Sequence, residues 1–227
     1  MTQIMRQNTY GRRCGRKLKP FKRELLEILL PKIQLSIGEG GKFGSTFDPE
    51  KYKSCFLEIG FGAGEHLALQ ARHNPDVLMI GCEPFINGVA NLLEHIQQDN
   101  ISNIRIYPGN ALCFLDAIPD NSLDHIFLLF PDPWPKKGHH KRRFVQKETL
   151  DLMVKKLVPQ GKLLIATDHQ NYFEWILERT SIHEGLTFLN PDPKTWTDFP
   201  ETWTQTRFQE KAVEGGRVSR FLWFKKR

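Results

Sequence analysis

From Ser54 onward the chain alternates short apolar runs with longer stretches of helical spacing, and few architectures accommodate that rhythm. The apolar runs fall at 55–59, 77–81, 104–107, 123–130 and 162–166; the helical stretches lie near 64–73, 85–98, 110–117, 141–156 and 170–182. Such alternation predicts an α/β fold, a doubly wound, mostly parallel, Rossmann-like sheet with helices on both faces. The final third is less regular, with strand-like segments at 186–189 and 218–224 around a region carrying Trp196, Trp203 and Phe208. Ligands in sheets of this kind gather beyond the C-terminal ends of the strands, near the reversal of strand order.

Upstream of the rhythm, residues 1–20 are polar and basic, a composition that does not bury a core by itself. A helical pattern over 21–30 is expected to stop at Pro31. Residues 36–49 hold four glycines without a period and read as a linker. The expected organisation is a basic extension over 1–35, a glycine-rich linker over 36–53 and one domain over 54–227. No apolar stretch approaches bilayer length, and the basic N-terminus lacks the apolar centre of a signal peptide. Cys14, Cys55, Cys82 and Cys113 are scattered without zinc-site spacing, so no metal and no disulfide framework is expected, and the cytoplasm is the default compartment.

The net charge of +6 conceals a segregation. Residues 1–32 carry nine Lys/Arg against two acids, 136–147 six against none, and 217–227 five against none; the block 33–135 carries five against thirteen. Separated cationic blocks of this kind suit phosphates better than they suit general solubility. A solvated basic surface is the plainer alternative.

The first strand runs into Glu58-Ile-Gly60-Phe-Gly62-Ala-Gly64. Glycines let backbone approach a ligand closely, although the same turn also serves simple chain reversal. A dinucleotide fingerprint requires G-x-G-x-x-G. Counting from Gly60 places its last glycine at Glu65, and counting from Gly62 places it at Leu67, so both registers fail. An acid at the helix start also repels pyrophosphate. Glu83, at the end of the next strand, is placed to accept from the ribose hydroxyls of a nucleoside. Two acids and a phosphate-free loop fit a cofactor with an amine.

The fourth strand opens into Phe130-Pro-Asp132-Pro-Trp134-Pro-Lys136-Lys-Gly-His-His-Lys-Arg-Arg143. Three prolines stiffen the turn around Asp132, and Trp134 offers a flat face for packing or for a base. Asp132 stands either as a reacting carboxylate or as a turn cap. The fifth strand ends Ala166-Thr167-Asp168, and Asp168 serves either the same rim or as cap of the following helix.

These motifs carry a resemblance. The ExGxGxG run at 58–64, with Glu83 and Asn110-Ala111, is similar to the cofactor end of class I S-adenosylmethionine-dependent methyltransferases. FPDPWPKK at 130–137, HHKRR at 139–143 and ATD at 166–168 strongly resemble the bacterial tRNA (guanine-N7-)-methyltransferase family. The resemblance extends back to the basic segment and helix at 11–33 and forward to 206–211, which covers nearly the whole chain.

It implies a class I methyltransferase fold and methyl transfer from S-adenosyl-L-methionine to guanine N7 of tRNA, at position 46 of the variable loop. Cofactor contacts are then expected from Glu58, Gly60, Gly62, Gly64, Glu83, Asn110, Ala111 and Asp132, with Asp132 as catalytic residue. Substrate contacts are expected from Lys136, Asp168, Thr206, Arg207, Phe208 and Gln209, and phosphate contacts from the 141–143 cluster. The partner is tRNA, with no membrane and no stable protein partner, the chain being a monomer or homodimer. Two positions depart from the family pattern: Asn110 replaces its usual Asp, and Gln209 its usual Glu. Non-catalytic RNA binding, or methylation of another RNA, is the competing reading.

Overall fold

The computed structural model describes residues 13–41, 43–44, 46–200, 203 and 215–227. They form two compact units, divided between Pro119 and Asp120.

In the first unit a basic stretch leads into helix α1 (Pro20–Ile28) and the short α2 (Leu30–Ile33). The expected stop at Pro31 is not observed. Proline sits in the first turn of α2, where its missing N–H would have had no intrahelical acceptor. The break falls instead at Leu29, whose N–H closes α1 by donating to Leu25 O at 2.9 Å. Leu35 is buried and its N–H donates to Ile106 O at 2.7 Å. The Arg105 guanidinium reaches Asp48 Oδ1 at 3.0 Å, which fixes the chain just before the first strand.

Strands β1 (Ser54–Ile59), β2 (Val77–Cys82) and β3 (Ile104–Tyr107) then alternate with helices α3 (Glu65–His73), α4 (Ile86–Gln98) and α5 (Ala111–Ala117). The pairs β1–β2 and β2–β3 are parallel, with Cys55 opposite Leu78 and Met79 opposite Ile104. Every residue of β2 is buried, as a strand covered on both faces requires. Buried Asn103 donates to the carbonyls of Ala71, Asn74 and Val77, tying the α3–β2 turn to the start of β3.

The second unit contains β4 (Leu123–Leu129), α6 (Lys147–Lys156), β5 (Leu157–Thr167), α7 (Gln170–Ser181), β6 (Leu186–Phe188) and β7 (Arg220–Lys226). β4 and β5 are parallel, whereas β7 runs antiparallel to both β5 and β6. The helix expected over 141–156 is shorter. Residues Lys137–Arg142 form a 3₁₀ turn, and α6 begins only at Lys147. Gln146 and Thr149 cap that start reciprocally, Gln146 N–H donating to Thr149 Oγ1 at 3.0 Å. Phe144 and Val145 thus precede the helix instead of lining its apolar side. The strands are ordered β3-β2-β1 in the first unit and β4-β5-β7-β6 in the second, a mixed, mostly parallel arrangement.

Candidate active site

At the C-terminal end of β1 the glycines of the loop take left-handed conformations, with φ of 71° at Gly60, 58° at Gly62 and 86° at Gly64. Alternate glycines explain why the spacing is not that of a dinucleotide fingerprint, since each marks a backbone turn that a side chain would strain. The space over Gly60 is open, while Gly64 packs against Leu92.

Glu83 organises this loop. Its Oε2 accepts from Gly62 N–H at 2.9 Å and its Oε1 from Phe85 N–H at 2.9 Å. The side chain is thus fixed in orientation by two backbone N–H groups. Glu58, only 3% exposed, lies 2.7 Å from His66 Nδ1, which donates to its carboxylate from the first turns of α3. His66 had no distinguishing mark in the sequence beyond standing eight residues from an acid across a turn.

Gly88 was equally hidden. A Cβ there would lie 2.2 Å from Gly62 O, so α4 reaches the glycine loop only because position 88 has no side chain. A glycine within a helical pattern was the available signal. Asn110 caps α5, its Oδ1 accepting from Leu112 N–H at 3.0 Å, and Ala111 is the buried first residue of that helix. Two buried carboxylates beside an open glycine bend, with no arrangement for pyrophosphate, suit an amino-acid-bearing nucleoside.

In the second unit, β4 stops one residue earlier than expected because Phe130 turns left-handed at φ 50°. Trp134 does the same at φ 42°. Bulky residues rarely adopt this region, and such strain concentrates at functional sites. Asp132 stands between them. Among the described residues no hydrogen bond reaches its carboxylate, whereas Glu58, Glu83 and Asp168 all have bonded partners. Asp132 keeps solvent access, yet the protein around it strips enough hydration to raise its pKa above the ordinary carboxylate value.

Lys136 is exposed at the start of the 3₁₀ turn. Partial desolvation and the charges of Arg142, Lys136 and Lys141 push the pKa of His139 down, which registers the positive potential of this segment. Arg142 lies over the Trp134 ring at 5.0 Å. Arg143 departs from the expected phosphate contact: it is 2% exposed, and its Nε–H donates to Pro133 O at 2.8 Å. Asp168 does not cap α7, a role taken by His169. It accepts from Arg217 Nε at 2.7 Å. Thr206, Arg207, Phe208 and Gln209 lie outside the described residues.

A family model described as "Putative methyltransferase" matches residues 52–221. A tRNA (guanine-N(7)-)-methyltransferase of Zymomonas mobilis is 41% identical over 207 residues, covering 91% of this chain and 89% of the relative. The enzyme of the same name from Rhodospirillum rubrum is 37% identical over 222 residues, covering 96% and 87%. The chain belongs to the tRNA (guanine-N(7)-)-methyltransferase family.

Solved structures add the fold. The 16S rRNA methyltransferase KamB superimposes with a TM-score of 0.55 at 14% identity, covering 85% of this chain and 98% of its own. A 16S rRNA (adenine(1408)-N(1))-methyltransferase solved with S-adenosylmethionine gives 0.52 at 14% identity, covering 85% and 96%. The mostly parallel α/β fold expected from the strand–helix rhythm, and the class I methyltransferase fold that the motif resemblance implied, are the observed ones.

Proposed function

We propose that this chain methylates N7 of guanine in tRNA, at position 46 of the variable loop, with S-adenosyl-L-methionine as donor. The observation that carries the assignment of chemistry is Asp132, an acid with raised pKa and no bonded partner among the described residues, held between two left-handed aromatic residues. When bound, S-adenosylmethionine supplies a methyl group on a positively charged sulfur.

Glu58 and Glu83 hold the amino-acid and ribose parts of the cofactor, and Gly60, Gly62 and Gly64 give it room. Asn110 and Ala111 meet the adenine; the Asn110 amide offers one acceptor oxygen where a carboxylate offers two, so cofactor binding is weakened or altered but not lost. Guanine N7 already carries a lone pair, so Asp132 has no proton to remove. It orients donor and base, and its carboxylate stabilises the positive charge that grows on the guanine ring as the methyl arrives. Partial desolvation strengthens that interaction. Lys136, Lys141 and Arg142 meet phosphates; Asp168 and the segment Thr206–Gln209 position the guanine. The basic extension over 1–35 grips tRNA, and 54–227 is the methyltransferase domain. The protein acts in the cytoplasm as a monomer or homodimer.

Methyl transfer to bulk tRNA lacking this modification, followed by mapping of N7-methylguanosine, tests the reading. Labelled methyl at the variable-loop guanine is the expected result. Binding of tRNA with no uptake of S-adenosylmethionine by calorimetry would instead identify a non-catalytic RNA-binding protein.

A further inference from the structure

We propose that Arg143 is a positioning residue for the reaction, holding Asp132 in place from behind the loop and making no contact with RNA. The inference rests on the assignment of Asp132 given above.

Arg143 closes the run of Lys/Arg after the PDPWP turn, yet its environment is that of an internal strut. Its Nε–H donates to Pro133 O at 2.8 Å and an Nη2–H to Asn171 Oδ1 at 2.6 Å. The guanidinium lies 5.1 Å from the Tyr172 ring centroid and 4.8 Å from that of Trp175. Its Nη1 is buried with no protein acceptor among the described residues, and the two ring faces supply the compensating negative potential. Burial lowers its pKa without a carboxylate to oppose the shift.

Such a buried cation is costly to maintain, and the bond to Pro133 O shows what it secures. That carbonyl belongs to the peptide immediately after Asp132. On either side of it the backbone is strained, at Phe130 and at Trp134. A strained loop persists only where its surroundings over-determine it. The α7 helix provides the fixed end of the brace. Asn171 holds the guanidinium, Tyr172 Oη accepts from Val145 N–H at 3.2 Å, and Trp175 Nε1–H donates to Val145 O at 2.7 Å. The fork geometry of arginine bonds two acceptors in fixed directions at once, which the lysine ammonium does not reproduce.

Arg143→Lys, Asn171→Ala, Asp132→Asn and the Arg143→Lys/Asp132→Asn double variant are compared in steady-state methylation of unmodified tRNA. Melting temperature, cofactor affinity and the salt dependence of tRNA binding are measured alongside. Arg143→Lys should lower kcat by about tenfold or more, with KM for tRNA, cofactor affinity and salt slope unchanged. Asn171→Ala, at an exposed residue, should shift kcat in the same direction by less. On the Asp132→Asn background, Arg143→Lys should cost nothing further.

A wild-type kcat in Arg143→Lys, a reduced salt slope, or additive losses in the double variant would each overturn the proposal. Full turnover by Asp132→Asn would defeat the Asp132 assignment itself, and a continuing loss in Arg143→Lys would then show that Arg143 does not act through Asp132. If Arg143→Lys does not fold, Asn171→Ala decides alone: it keeps the guanidinium and removes one acceptor, and unchanged kcat there refutes the brace.

Discussion

The two candidate loops each have a carboxylate beside left-handed backbone, but they reach that conformation by different means. After β1 the left-handed positions are glycines, for which the region carries no steric penalty. After β4 they are Phe130 and Trp134, for which it does. The glycine loop is organised by an acid from the end of β2, Glu83, that bonds its backbone directly. The proline loop leaves its acid free of bonded partners among the described residues and is fastened instead at Pro133 O by a buried arginine. The difference teaches that one loop can be ordered by an acid from the neighbouring strand end, while the other leaves its own acid without a bonded partner among the described residues and is braced by a residue behind it.

Substitutions can break or sharpen that contrast. The largest expected effect is Asp132→Asn, which should lower turnover on the order of a hundredfold while leaving tRNA affinity unchanged. Glu83→Gln should instead weaken cofactor affinity about tenfold and spare turnover at saturation, because the lost charge orders the glycine loop through Gly62 N–H. If calorimetry and kinetics give the same profile for both variants, the division of labour between the loops fails.

Next in size is Gly88→Ala, whose Cβ would press on Gly62 O. It should destabilise the protein by about 1–3 kcal/mol in denaturant unfolding and weaken the cofactor. Gly60→Ala, where nothing lies within 4 Å, should cost less, through backbone strain alone. Equal losses at both positions would show that the loop relaxes away from α4. Lys136→Ala should reduce the slope of log affinity against log salt for tRNA by about 1, with turnover of bound tRNA retained. A variant with unchanged slope places Lys136 off the backbone.

The smallest effect concerns pH. The pKa of Asp132 is raised in the folded protein, so folding carries no penalty below the unfolded carboxylate value and loses stability as pH rises through the folded value. Asp132→Asn should therefore match the wild type at about pH 3 and become slightly the more stable toward pH 7. The gain is small because the residue keeps solvent contact. Melting curves across that range check the sign; a variant that grows less stable with pH would mean that the carboxylate has a stabilising partner.

Much of the fold was legible because it depends on local periodicity. The alternation of apolar runs and helical stretches marked β1 to β4, α3 to α5 and α7 to within a residue or so, whereas β5 starts at Leu157, five residues before the expected 162. Misreadings arose where tertiary contacts outrank propensity. The pattern over 141–156 suggested one helix, yet the backbone N–H and C=O of Val145 are bonded to Tyr172 and Trp175, and α6 starts after it. Pro31 opens a turn of helix instead of closing one, since only its position relative to Leu29 settles whether its missing N–H matters.

What the sequence determined by itself is the chemistry available at each loop. The glycine spacing excluded a pyrophosphate site, the prolines marked Asp132, and the motifs named the family that the relatives establish. The tertiary structure alone decided what each charge does. Lys136 and Arg143 are both cations of one basic run, but one is exposed and the other is buried against two aromatic rings and a carbonyl. Glu83 and Asp132 are both acids after a strand, but among the described residues backbone N–H groups occupy one and not the other. The physical reason is that spacing along the chain fixes which groups reach a loop, whereas burial and hydrogen-bond partners, set by residues distant in sequence, fix whether a charge binds, reacts or braces.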